Sequence, residues 1–383
     1  MRIAMVLSDL CVPPRSGLQE QSLLLLEGLV AAGVEVDLFA FSGTRGAVGE
    51  AMLPAKLAAP PMPTRAGWTF TGLMTRLLGR SGLEQRLGEY DVVYLEGAAA
   101  AGLLRRGWAA RAVVNLIDPG SRRRLRFAAT ASGSLRKAKE WLLAGLSYLL
   151  EAALNDKRAT WVVVSDSDRD YLRRVHGHAA TEAIPVMLPE LPAPTLHSPS
   201  GAVVVAVYAD LRQAHMWRAF VALAEEVLRP VCAAEPALRI TVLGRLLPSP
   251  ELLAALPQLP MTFSGWSEDH LGELQRADIV LLPDTVGTGL KNRAVQCLGL
   301  GCATVGTPVA FEAIPVTSGQ EAYVAATPEK MVEAVLTLAR TPSLRAEVGN
   351  KAREFAAARY GREQVMKTWL SLLHSLERRD ERP

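Results

Sequence analysis

A chain of 383 residues with 49% hydrophobic and 21% charged residues is globular, and its length suits two domains that each bury a core. The formal charge of +3 argues against a nucleic-acid partner, and the sequence carries no zinc-finger spacing or aromatic–glycine RNA motif. Cys11, Cys232, Cys297 and Cys302 are scattered without metal-ligand pairing, which fits a reducing, cytoplasmic setting. The opening MRIAMVLSDL reads as a strand rather than a signal peptide, and no apolar run reaches the length of a membrane span.

The spacing predicts a strand over Arg2 to Leu7, a loop from Asp9 to Gly17, a helix from about Leu18 to Ala32, and a strand over Val34 to Phe41. This is a βαβ unit of Rossmann type. Its loop holds one glycine at the helix start, Gly17, in place of GxGxxG, so a nicotinamide enzyme is disfavoured. Met52 to Gly67 is proline-rich and irregular. Strands follow at Asp91 to Leu95, Ala112 to Ile117 and Trp161 to Ser165, and their ends carry Glu96, Asp118 and Asp166. Ligands of open parallel sheets bind at such ends. In NLIDPGSRR, Asp118 begins an ordinary Asp-Pro-Gly turn signal.

The basic stretch 122–145 precedes the apolar WLLAGLSYLL. It suits either peripheral contact with an anionic membrane surface or an acidic acceptor, or a solvated helix face with a core side. The proline-rich 191–201 marks a linker between domains 1–190 and 202–360. The pattern then restarts with a strand at Val203 to Tyr208, a helix from about Ala214 to Val227, and strands at Leu238 to Leu243, Met261 to Phe263 and Asp278 to Leu282, with a helix near Glu268 to Gln275. Helices at Pro328 to Arg340 and Ser343 to about Leu376 finish the chain, and 361–380 returns to complete the first domain.

The most informative stretch is DTVGTGLKNRAVQCLGLGCATVGTP, Asp284 to Pro308, in which a helix with apolar spacing from Leu290 to Leu300 is expected to close at Gly299 and Gly301. A glycine-flanked loop that opens a helix after a strand leaves backbone N–H groups unpaired at the positive end of the helix dipole. Lys291 beside them is disfavoured by that dipole unless an anion offsets it, and the combination points to a phosphate. The plainer reading is a glycine turn with a solvated lysine.

With these pieces assembled, the chain resembles the retaining glycosyltransferases of the GT-B fold, in the large family numbered 4. The likeness rests on VPPRSGLQEQSLLLLEGLVAAGVEVDLF and VVVSDSDRDYL in the first half. In the second half it rests on ALRITVLG, FSGWSEDHLGELQRADIVLLP and GTGLKNRAVQCLGLGCATVGTP, the last set against the family's GxGLKNKxLEAMAxGxPVVxT. The resemblance implies an α/β protein of two Rossmann-like, doubly wound parallel-sheet domains facing a cleft. It also implies metal-independent, cofactor-free transfer of a hexosyl group from a UDP or GDP sugar to an unknown acceptor, with retention.

By position, the family's diphosphate cradle falls at Thr288, Gly289, Leu290 and Lys291, with Asn292 beside them and Gly17 facing it across the cleft. Arg212 or Arg218 supplies a second cation, and the sequence does not choose between them. Gly244, Arg245 and Trp266 fall where the family lines the nucleoside pocket. The family's paired glutamates fall at Thr288 and Gln296, its Gly-Gly at Gly17-Leu18, and its usual histidine at Asp118, which either binds an acceptor or sugar hydroxyl or is only part of the Asp-Pro-Gly turn. These departures admit a second reading, a catalytically silent relative that binds a nucleotide sugar or a partner enzyme. A nucleotide-sugar epimerase is a third, for which the six histidines give little support.

Overall fold

The structure is a computed structural model that describes residues 1–11, 14, 16–42, 53, 55, 62–63, 68–78, 82–131, 133–192, 202–244, 248–249, 253–254, 256, 258–265, 267 and 269–377. The chain divides into two compact units, Met1–Met187 with Arg362–Pro383, and Leu188–Gly361. Most of the irregular 52–67 stretch and the linker from 193 onward lie outside the described residues.

The first unit is built on a parallel sheet of β1 (Arg2–Leu7), β2 (Glu35–Ser42), β3 (Met62–Pro63), β4 (Val92–Glu96), β5 (Ala112–Ile117), β6 (Thr160–Val163) and β7 (Thr181–Ala183). Its order is β3-β2-β1-β4-β5-β6-β7. Strands buried on both faces sort their side chains by the period of two. Ile3, Met5 and Leu7 join the core shared with helices Gly17–Ala31 and Arg362–Glu377, while Ala4 and Val6 face the core that holds Phe39, Leu95 and Trp161. The C-terminal helix packs on the first: a Cβ at Gly28 would meet Met366 Sδ at 2.5 Å, and Trp369 sits edge-on to Tyr94 with ring centroids 5.6 Å apart. Gln21 pins the exit of the unit by donating to Met187 O (2.8 Å) and accepting from Met187 N (2.6 Å).

The second unit carries β8 (Val204–Tyr208), β9 (Arg239–Leu243), β10 (Met261–Gly265), β11 (Ile279–Leu282), β12 (Ala303–Gly306) and β13 (Tyr323–Val324). They pair in parallel in the order β10-β9-β8-β11-β12-β13. Val205 and Val207 pack under helix Ala214–Leu223 through Met216 and Phe220. Counted within each unit, both sheets run 3-2-1-4-5-6, with a seventh strand added beyond the sixth in the first unit, the doubly wound order whose direction reverses between the first and fourth strands. A crevice therefore opens at the carboxyl ends of β1 and β4 in one unit, and of β8 and β11 in the other.

The fold departs from the sequence reading in three places. The final helix expected over Ser343 to Leu376 is two, Pro342–Tyr360 and Arg362–Glu377, because Gly361 turns to ψ 135°. β3, β7 and β13, of two or three residues each, go unannounced, being too short to show a period. The helix expected to close at Gly299 and Gly301 ends only at Gly301, in the left-handed conformation at φ 74°. Gly299 lies inside it as a close-approach residue, where a Cβ would meet Leu188 Cδ2 at 2.7 Å.

Candidate active site

The loop from Pro283 to Lys291 leaves β11 at the crevice of the second unit and enters the helix Asn292–Leu300. Gly287 and Gly289 have φ 148° and 67°, backbone that side-chain-bearing residues rarely adopt. A Cβ at Gly287 would also meet Lys291 Nζ at 2.9 Å. Lys291 occupies the N-cap position rather than the first turn, and no side chain caps this helix, so its leading amides depend on something other than a cap. Thr288 and Leu290 are buried, which makes the loop rigid around its amides. Lys291 Nζ folds over the loop and donates to the carbonyls of Thr288 (2.7 Å) and Gly289 (3.3 Å). The sequence reading held this cation ready for a phosphate. In the structure its ammonium is engaged by the loop it closes, because the glycine turn aims two carbonyls at it.

Beneath the loop lies a polar floor. Buried Gln296 accepts from Tyr208 OH at 3.1 Å, which joins the end of β8 to the helix that follows β11 across the point where the strand order reverses. Arg293 donates to buried Asp284 at 2.7 Å and lies 5.9 Å from the centre of the Tyr208 ring. The hydroxyl of Thr307 caps the carbonyl of Asp284. Tyr208, Asp284 and Arg293 escaped the sequence reading. The acid that opens the loop and the arginine nine residues on were its only signals.

Across the crevice, the β8 end leads to Asp210 and Arg212. The guanidinium grips Asp210 with two bonds, 2.9 Å from Nε and 2.8 Å from Nη2. Partial burial pushes the Asp210 carboxyl up, but the Arg212 hydrogen bonds and charge prevail and hold it below the usual range. Arg212 is thus half of an ion pair rather than an isolated cation, and Arg218 stands exposed on the helix Ala214–Leu223. Gly244 follows β9, where a Cβ would meet Ala209 O at 2.1 Å, so its role in packing is plain. Arg245 and Trp266 lie outside the described residues.

Gly17 and Asp118 belong to the first unit. Gly17 opens a helix capped by Ser16, whose hydroxyl accepts from Gln19 N at 3.3 Å. Asp118 accepts from Arg123 at 2.8 Å, so the Asp-Pro-Gly turn is held by an ion pair. Ile117 just before it has φ 68°, a strained setting for a β-branched residue. Asn115 supports that turn by accepting from Ile117 N at 3.1 Å.

One titratable group at the crevice of the first unit was noted in the sequence only as a strand end. Glu96, at the end of β4, is buried and accepts from Ser22 Oγ and from Tyr94 OH (2.7 Å), while Asn115 donates to Tyr94 OH at 2.8 Å. Burial raises its carboxyl to about 7, against the lowering pull of the Ser22 and Tyr94 hydrogen bonds, and nearby Asp9 adds a further push upward.

Residues 212–371 match the family described as glycosyl transferase-like. No curated protein matches the chain. Among solved structures, a sucrose-phosphate synthase from Thermosynechococcus elongatus superposes with a TM-score of 0.70 at 17% identity, covering 98% of each chain. Anabaena HepE in complex with UDP and glucose gives a TM-score of 0.66 at 15% identity, over 97% of this chain and 100% of that one. S. aureus TarM gives 0.57 at 13% identity, over 74% of this chain and 54% of its own. These likenesses establish the GT-B architecture of two parallel-sheet units.

Proposed function

We propose that this glycosyl transferase-like protein of the GT-B fold transfers a hexosyl group from a nucleoside diphosphate sugar to an acceptor hydroxyl, with retention and without a metal. The observation that carries the proposal is the Pro283–Lys291 loop, which brings an uncapped helix start, two left-handed glycines and a lysine to the crevice between β8 and β11. An amide-lined helix start favours anions, and donors fixed in advance around a departing diphosphate need not reorganise as its charge develops.

In this reading the diphosphate lies against the amides of Thr288 to Asn292. Lys291 trades carbonyl contacts for phosphate oxygens, a gain because a charge-assisted bond to an anion is the stronger. Arg212, released in part from Asp210, is the second cation. Gln296 and Tyr208 sit below the ribose. Uridine is the favoured base, since HepE is described in complex with UDP and with UDP-glucose. The donor phosphate serves as base toward the acceptor hydroxyl.

A thermal-shift panel of UDP, GDP, ADP and dTDP sugars, run beside an assay for sugar release or transfer, tests this. A melting shift with UDP sugars and turnover that depends on Lys291 is expected. Absence of any shift across the panel would end the proposal.

A second reading, binding without chemistry, is favoured by one specific feature. Lys291 and Arg212 are both engaged by internal acceptors, and an amide stands at Gln296 where the family carries a carboxylate. A melting shift with neither hydrolysis nor transfer would select it.

A further inference from the structure

The helix Ser134–Ala153 of the first unit turns an apolar stripe to solvent. Leu135, Leu142 and Leu149 recur every seven residues, just under two turns, and Trp141 and Tyr148 repeat the interval beside them. Their exposure runs from 45% for Tyr148 to 85% for Leu135. The opposite side, through Ala144, Ser147, Leu150 and Glu151, is buried. Bulky side chains left uncovered on one face of a folded helix mark an interaction surface.

The neighbouring charges indicate what covers it. The basic run divides in the structure: Arg122, Arg123 and Arg124 are spent on Asp168 (2.6 Å), Asp118 (2.8 Å) and Glu140 (3.0 Å). Arg136, Lys137 and Lys139, exposed at the amino-terminal end of the stripe, form no ion pair among the described residues. The only acids of this helix are Glu140, taken by Arg124, and Glu151, buried against Ser121 and His176. The stripe is therefore rimmed by positive charge with no uncompensated carboxylate on its own helix. It carries a tryptophan and a tyrosine, side chains that settle where hydrocarbon meets headgroup.

From this arrangement we propose that the helix Ser134–Ala153 docks the protein on an anionic lipid surface, lying in the interface with Leu135, Trp141, Leu142, Tyr148 and Leu149 inserted and Arg136, Lys137 and Lys139 on the headgroups. No helix among the described residues is long and apolar enough to cross a membrane, so the mode is lying on rather than spanning. The assignment is independent of the transfer reaction.

Co-sedimentation with vesicles of phosphatidylcholine alone, or of phosphatidylcholine with phosphatidylglycerol, tests it. The protein is expected to bind the anionic vesicles, weakly if at all the neutral ones, and less as salt is raised. Replacing Arg136, Lys137 and Lys139 together by Gln should weaken binding roughly a hundredfold. The pair L142Q and L149Q should weaken it by about tenfold or more. The binding-induced blue shift in tryptophan emission should be lost in Trp141→Phe. Since all these side chains are exposed, the variants should keep the parent melting temperature, which verifies that they fold. Failure to bind anionic vesicles overturns the proposal, as does binding that survives both sets of substitutions. A dimer in solution that dissociates in the L142Q and L149Q protein, with no vesicle binding, overturns it in favour of a second copy of this chain.

Discussion

Lys291 Nζ donates to the carbonyl of Thr288, three residues before it, at 2.7 Å. A helix entry without a side-chain cap thus has its N-cap lysine holding the shape of the loop. These contacts fix the shape of the loop, and donors fixed in advance are what the proposed reaction would use to stabilise a departing diphosphate at low cost.

Lys291→Ala should lower sugar transfer or hydrolysis by roughly a hundredfold or more, the size of effect seen when one preorganised donor to a developing charge is removed. The fold should survive. A variant that turns over at the parental rate shows that the cradle is somewhere else.

Gln296→Glu restores the carboxylate that the family places below the ribose. A charged acceptor holds a hydroxyl about 1 kcal/mol better than a neutral one, so UDP affinity should tighten by roughly fivefold. The gain should vanish with a ribose-lacking ligand such as pyrophosphate. Equal gains with both ligands would place Gln296 under the phosphates instead.

Glu96 gives a pH dependence whose sign follows from its raised pKa. Unfolded, it titrates near the ordinary glutamate value of 4.5, and folded, at about 7, so across that window the native state binds the extra proton. Stability from this group is fully present below pH 4.5 and is lost as pH rises to about 7, by linkage a change of roughly 3 kcal/mol. Glu96→Gln should therefore flatten the fall in denaturation midpoint between pH 5 and 8, and should raise stability at pH 8 above that of the parent. Parallel curves for the two proteins mean that Glu96 is ionised in the native state.

Gly244→Ala sets a methyl group 2.1 Å from Ala209 O, a clash with backbone that no rotamer relieves. Overpacking of this kind costs about 1–3 kcal/mol, and a chemical denaturation curve should show it. An unchanged midpoint would mean that the β8 and β9 ends separate freely.

Much of the architecture was legible in the sequence. Buried parallel strands such as Ile279–Leu282 print as short apolar runs, and the helices between them carry their own starts and stops. The glycine loop and its lysine were legible because Gly287, Gly289 and Lys291 lie within five residues, so local geometry suffices to bring them together. The engagement of the two cations was not. Arg212 meets Asp210 two residues away, a local contact that the family pattern passed over in treating the arginine as a ligand group. The break at Gly361 was missed because apolar spacing continues on both sides of it.

Other pairings were beyond any local reading. Tyr208 and Gln296 are 88 residues apart, and Ser22 and Glu96 are 74 apart. Each pair meets only because the strand order reverses beside it, setting β8 against β11 and β1 against β4. The sequence by itself determined which segments are the longer strands and which helix begins on a glycine turn. Tertiary structure decided which polar groups are buried together, and with that the charge Glu96 carries near neutrality, because desolvation and hydrogen bonding act through space and register nothing of distance along the chain.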